Sequence, residues 1–201
     1  MSKELSMESI IMWLQDGIDL ETRRIEIRGE VNDAFASKIT RALIKLSEIS
    51  EDPIELYLSS EGGEVYAGVA IYDAIRACVC DVNIIASGQI MSAAFIIYLA
   101  GDQRTAAPHT SFMMHSVSYG AEGPVKDHEI QVIEAKAMNN KFLDICAERT
   151  KPNKRFWYRH FINGRDKYFD VTQAKELGII TVPPVKKVRK AKNVRSKTKR
   201  T

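Results

Sequence analysis

One hydroxyl, Ser92, heads the apolar run GQIMSAAFIIYLAG from Gly88 to Gly101, and a glycine pair, Gly62 and Gly63, stands in SSEGGEV further towards the N-terminus. Both stretches follow a segment with strand character and open a segment with helical character. A serine at a helix N-terminus faces unpaired N–H groups and the positive end of the helix dipole, a setting that stabilises an anion. Glycines let backbone amides approach a ligand closely. Together the two turns offer the N–H of Gly63 and that of Ala93 as donors to a tetrahedral oxyanion. Ser92 beside such donors is an acyl-transfer nucleophile if a base lies near. The ordinary alternative is that Ser92 simply caps the helix, since serine is a favoured N-cap residue.

Bases are few, because the chain has only four histidines: His109, His115, His128 and His160. His115 ends the short apolar strand SFMMH, a position from which a side chain projects into a crevice, although a hydrogen-bonded core histidine is the plainer reading. His109 in a turn, His128 on a long helix and His160 in a polar helix read as surface residues. Many acids are available to orient an imidazole. Asp166 in NGRDKYF is one of them, and an aspartate in a turn needs no chemistry to explain it.

The elements around these residues alternate. RRIEIRG (23–29) has the period of a half-buried strand, and NDAFASKITRALIKLSEIS carries apolar residues at helical spacing behind Asn32 or Asp33 as a cap. IELYL (54–58) reads as a strand, SSEGGE as a glycine turn and VYAGVAIYDAIRA as a helix. VNIIAS (82–87) is a further strand before the serine-headed helix. This rhythm predicts an α/β fold with parallel strands and helices on its faces, and the crevice of such folds lies beyond the carboxyl ends of the strands. QRTAA and SFMMH then read as short strands, followed by a long amphipathic helix from about 126 to 149. NKRFWYRHFIN reads as a helix, GRDKYFD as a loop or short strand, and VTQAKELGII as a short helix ended by Gly178.

Composition limits the class. The chain has 201 residues, 45% of them hydrophobic, enough for one domain with its own core. No apolar stretch is long enough for a membrane span and the N-terminus MSKELSMES is too charged for a signal peptide, so a soluble, cytoplasmic protein is expected. Cys78, Cys80 and Cys146 show no metal or redox spacing and read as buried free thiols. Residues 185–201 hold nine Lys or Arg and no acid, which leaves the first 184 residues at −6 against a total of +3.

At this level of detail the motifs resemble the ClpP serine peptidases. GGEVYAGVAIYDAI matches that family's glycine turn and helix, GQIMSAA its nucleophile segment, MMHSV its histidine strand, and RDKYFDVTQAKELGII its aspartate segment and following helix. The similarity covers about residues 23–181. It implies the ClpP/crotonase-like α/β fold with a long handle helix, within a domain at 19–184 between a divergent segment at 1–18 and the basic tail at 185–201. It implies Ser92 as nucleophile, His115 as general base and acid, and Asp166 as the residue orienting the imidazole, with the amides of Gly63 and Ala93 on the oxyanion and no metal or organic cofactor. The order Ser, His, Asp and the lack of a G-x-S-x-G elbow set the chain apart from chymotrypsin, subtilisin and the α/β-hydrolases. The resemblance further implies a peptide held extended between Gly62–Tyr66, including Glu64 and Val65, and Ser116–Gly120, including Val117 and Ser118. It implies a homo-oligomer of two stacked seven-membered rings, joined through a handle at 118–149 made of the long helix and a glycine-rich strand, with Arg165 in the same contact.

Members of this family usually receive substrates from a Clp-type ATPase docked in apolar pockets. At those positions the chain keeps Tyr57 and Ile85 but has Glu55, Ala77, Ser87, Thr105 and Ala107. A charge and truncations in such a pocket remove docking energy, so a standard ATPase partnership is not expected. The basic tail is either a solvated extension or a salt-sensitive contact with nucleic acid or an acidic partner; it lacks the aromatic residues that stack on bases. A peptidase with such a tail suits a phage or mobile element, including a capsid-maturation protease. Two other readings stay open on sequence: a catalytically silent ring or shell subunit, and a crotonase-like acyl-CoA enzyme.

Overall fold

Alternating burial along Ile25, Ile27 and Val31 makes Arg24–Val31 a strand with one face in the core. In a computed structural model, residues 6–120, 122–162 and 166–181 are described. Their elements run α1 (Met7–Asp16), β1 (Ile18–Asp19), β2 (Arg24–Val31), α2 (Asp33–Ile49), β3 (Ile54–Gly63), α3 (Val65–Ala77), β4 (Val82–Met91), α4 (Ala93–Ala100), β5 (Gln103–Ala106), β6 (Ser111–Met114), α5 (Val125–Arg149), α6 (Lys154–Phe161), β7 (Lys167–Phe169) and α7 (Val171–Glu176). One sheet has the order β1-β2-β3-β4-β6-β7, with β5 also on β4. The pairings among β2, β3, β4, β5 and β6 are parallel, and the outer pairs β1/β2 and β6/β7 are antiparallel. This is the expected mixed α/β fold. Arg165 and the tail at 185–201 lie outside the described residues.

Helix positions follow from caps and periodicity. Asn32 caps α2 by accepting from the Phe35 amide at 3.0 Å, and Ile39, Leu43 and Leu46 bury one stripe of that helix. All eight residues of α4 are buried, so this helix is the centre of the core. Phe95 from α4 meets Phe112 of β6, Trp157 of α6 and Phe169 of β7 at ring-centroid distances of 6.2–6.5 Å. Each such buried side chain contributes about 2 kcal/mol through its area alone, so the cluster fixes β6 and β7 against α4.

Two strands run further than the sequence predicts. β3 continues through the glycine pair to Gly63, because Gly62 and Gly63 pair with Glu30 and Val31 beyond a register shift that places one extra residue in β3. β4 continues to Met91 and changes partner on the way. Its first half pairs with β5 and its last three residues with β6, with Gly88 at φ 64° between the two. The glycine-rich strand expected after His115 is absent among the described residues. A strand needs a neighbour, and this segment has only the Val117 amide held by Asn139 at 2.8 Å.

Two polar knots close the fold. Asp19 accepts from Ser9 Oγ at 2.6 Å, from the amides of Glu21 and Thr22, and from the Thr22 hydroxyl, tying α1 to the β1–β2 turn. Burial alone raises its pKa, but the hydrogen bonds from Ser9, Thr22 and the two amides prevail and hold the carboxyl below its ordinary 3.8. At the other end, buried Arg104 donates to the carbonyls of Leu99, Gly101, Arg149, Gly178 and Ile179. Arg149 adds bonds to Leu99 and Gly101, so two cations gather the C-terminal ends of α4, α5 and α7. Burial, then the neighbouring Arg149, lowers the Arg104 pKa to about 10, so it stays charged at neutral pH.

Candidate active site

The partner change along β4 decides where Ser92 goes. Met91 pairs with Met113, and the Ser92 amide donates to the Met113 carbonyl at 3.0 Å. Ser92 is therefore stitched to the strand that ends just before His115. The hydroxyl Oγ of Ser92 and Nε2 of His115 are 2.8 Å apart. Both residues are half-buried.

Ser92 occupies the N-cap position of α4, but its side chain does not cap. Its φ and ψ are 54° and −123°, and no side-chain cap bond is made. A non-glycine residue held there stores roughly 1–3 kcal/mol of strain, which the surrounding pairing must maintain. That geometry turns the hydroxyl away from the helix amides and towards His115. Ala93, the first residue of α4, carries an N–H with no intrahelical acceptor.

The glycine pair supplies the opposite wall. The Glu64 amide donates to the Val31 carbonyl at 2.8 Å, so the preceding Gly63 N–H points to the other edge of β3, the edge that fronts Ser92. A Cβ on Gly63 would lie 2.2 Å from the Val31 oxygen, and one on Gly62 2.8 Å from Ser92 Cβ. Glycine is required at both places. A cleft of about 50 Å³ joins these parts, lined by Gly63, Ser92, Ala93 and His115 and floored by Ile96 and Phe142. Val65, Val117 and Ser118 form its side.

Other expected residues fall less neatly. Asp166 immediately precedes β7, whose Lys167 pairs with Met114, so the next step of the ladder sets Asp166 across from His115. Asp166 is exposed and makes no hydrogen bond to the imidazole among the described residues. Glu64 has no amide to offer a peptide strand, since its N–H is on Val31 and its carbonyl accepts from Gly68. Its carboxylate instead accepts from the Asp33 amide. The Gly62 amide is likewise taken, by Ser60 Oγ at 3.0 Å. Ser116 is half-buried beside His115. Of the histidines read as surface residues, only His109 is exposed; His160 is half-buried with Nδ1 2.8 Å from the Phe156 carbonyl, and Nε2 of His128 is buried without a partner.

Sequence reasoning missed two supporting residues. Ser60, fully buried on β3, holds the glycine turn, and Asn139 on α5 holds Val117. The pattern -SSEGG- with a core-facing serine before two glycines was the available signal for Ser60. Nothing local marks Asn139, which sits among polar residues of a long helix.

Three of the positions considered for ATPase docking form a row across the sheet: Tyr57 pairs with Ile85, and Ile85 with Thr105. Glu55 accepts from Arg24 and from the Tyr57 hydroxyl, both at 3.0 Å, and Trp13 of α1 packs its edge on Tyr57 at 6.3 Å. Among the described residues no helix is long and apolar enough to cross a membrane.

Comparison with known proteins agrees with this architecture. The family model described as Clp protease matches residues 15–182. The chain is 37% identical over 133 residues to an ATP-dependent Clp protease proteolytic subunit 2 of Pseudomonas aeruginosa, an alignment covering 65% of this chain and 66% of that protein, just under two thirds. It is 32% identical over 164 residues to the proteolytic subunit 3 of Rhizobium etli, covering 80% and 83%. Among solved structures, a ClpP1 point mutant from Listeria monocytogenes superposes with a TM-score of 0.74 at 30% identity, over 84% of this chain and 94% of that one. With one family model spanning residues 15–182 and a relative 32% identical over 80% of the chain, the chain belongs to the Clp protease family.

Proposed function

We propose that the protein is a serine endopeptidase that hydrolyses unfolded proteins or peptides through an acyl-enzyme at Ser92. The observation that carries this reading is the 2.8 Å approach of His115 Nε2 to a Ser92 hydroxyl held in a strained conformation at a helix N-terminus. In the proposed reaction Nε2 accepts the Oγ proton as Oγ attacks the peptide carbonyl carbon. The carbonyl electrons move onto oxygen, which the amides of Gly63 and Ala93 hold. The imidazolium then gives its proton to the leaving amine as the C–N bond breaks. Water, activated by the same nitrogen, releases the acyl group and restores Ser92. Asp166 is proposed to orient the imidazole through Nδ1 when the β6/β7 ladder extends by one pair, from Met114–Lys167 to His115–Asp166.

Assembly and delivery belong to the same proposal. The N-terminal half of α5 exposes Val125, Ile130 and Ile133, an apolar stripe that suits burial between stacked rings; Arg165, outside the described residues, is proposed for the same contact. Docking of a Clp-type ATPase is disfavoured, because Glu55 in its ion pair and Trp13 on Tyr57 occupy the face concerned. The basic tail is proposed to engage a polyanion.

The lack of a hydrogen bond from Asp166 to the imidazole among the described residues favours a second reading, a catalytically silent ring subunit. A fluorophosphonate probe decides between them. The peptidase reading expects an adduct on Ser92, located by mass spectrometry, that His115→Ala abolishes; an unlabelled Ser92 in folded protein sinks it and leaves the silent subunit.

A further inference from the structure

A second cleft, of about 280 Å³, opens beside the one at Ser92 and shares Val65, Val117 and Ser118 with it. Its far wall is α5, with Gln131 and Glu134 one helical turn apart, and its rim carries the exposed rings of Tyr66 and Tyr119. Glu134 accepts from the Tyr66 hydroxyl and takes part in none of the ion pairs among the described residues. Val65 and Met138 make the lower walls apolar.

We infer that this cleft is a specificity subsite that takes a Lys or Arg side chain of the substrate, two residues before the one whose carbonyl Ser92 attacks. The inference rests on the peptidase reading and adds to it a substrate preference. The spacing follows from strand geometry: alternate side chains of an extended peptide share a face about 7 Å apart, and the two clefts share the wall of Val65, Val117 and Ser118. The shape suits a long cationic side chain, whose methylene stem lies on Val65 and Met138 while its charged end reaches the rim. There it meets the Glu134 carboxylate and the faces of two tyrosines, which attract a cation. A substrate carboxylate at the same position meets repulsion from Glu134.

The test compares three fluorogenic peptide amides, each with Leu at the attacked position and Lys, norleucine or Glu two residues earlier. For a partly exposed pair the expected preference in kcat/KM for Lys over norleucine is about three- to fivefold, with Glu poorest. Raising the salt reduces the ratio, and Glu134→Gln brings it to unity; Glu134→Lys reverses the order of the Lys and Glu peptides. Equal cleavage of the three peptides, or a Lys preference that Glu134→Gln leaves intact, overturns the subsite while the peptidase reading stands. A Glu134→Gln that slows all three alike assigns Glu134 a purely structural tie to Tyr66 and also overturns it. Failure to cleave any of the three overturns the peptidase reading, and the subsite with it.

Discussion

Replacing Gly62 by alanine tests how the glycine turn holds the candidate nucleophile. An alanine Cβ there would lie 2.6 Å from the Met91 carbonyl oxygen, 2.8 Å from Ser92 Cβ and 2.9 Å from the Ala93 nitrogen. Carbon–oxygen contacts relax at about 3.3 Å, so the Met91–Ala93 segment must withdraw by about 0.7 Å. His115 does not follow, because β6 is fixed by its own pairing with β7 and by Phe112 in the core. β4 lies between β3 and β6, so the withdrawal drives Ser92 against His115 and destroys the 2.8 Å hydrogen-bond geometry. Since misplacement on the ångström scale costs about 10²-fold, Ser92 labelling by a fluorophosphonate should slow by about 30- to 100-fold. Gly62 also sits at φ +96°, so alanine adds about 1–2 kcal/mol of backbone strain. For a chain of this size that lowers Tm by about 2–8 °C. Gly29→Ala separates the two effects: Gly29 has φ +80° but nothing within 4 Å of a new Cβ, so it should lose stability and keep the labelling rate. A Gly62→Ala protein that labels at the parent rate refutes the argument, as does a Gly29→Ala protein that loses labelling while folded.

Arg104→Lys should destabilise by about 3 kcal/mol, because an ammonium cannot reach five carbonyls disposed around a planar guanidinium. Thermal melts should fall by about 6–12 °C, and an unchanged Tm would show the knot to be dispensable. Asp19 contributes to the acid limb. Its folded pKa lies below 3.8, so the stability it supplies is complete above the unfolded value and drains away as pH falls through the folded one. Asp19→Asn should therefore melt lower than the parent at pH 7 and show a shallower decline below about pH 4. Identical pH profiles for the two proteins would contradict that assignment.

Much of this was legible because local signals agreed with the global fold. A cap at Asn32 or Asp33, the stripe Ile39, Leu43 and Leu46, and the all-apolar α4 each point to one arrangement, and the structure has it with Asn32 as the cap. Strand ends were harder. The glycine turn reads as a loop by composition, yet Gly62 and Gly63 belong to β3, since only pairing with β2 reveals that positive-φ residues continue the ladder. Ser92 and His115 were readable from residue type and position. Their proximity was not, because it depends on β4 leaving β5 for β6 at Gly88, a long-range event with no local marker. Asp166 could be singled out only through resemblance, and its place beside His115 follows from the three-residue pairing of β6 with β7. Glu64 enters the expected peptide groove only through resemblance, and no local pattern reveals that its amide is committed to Val31.

The Arg104 knot has a bearing on how the molecule comes apart. A guanidinium keeps its charge throughout the acid range, so the joint among α4, α5 and α7 is indifferent to the protons that undo the Asp19 clasp. Acid therefore frees α1 and the β1 edge first and leaves the opposite side fastened. Loss of the α1 clasp should therefore precede loss of the joint at α4, the helix whose N-terminus carries Ser92.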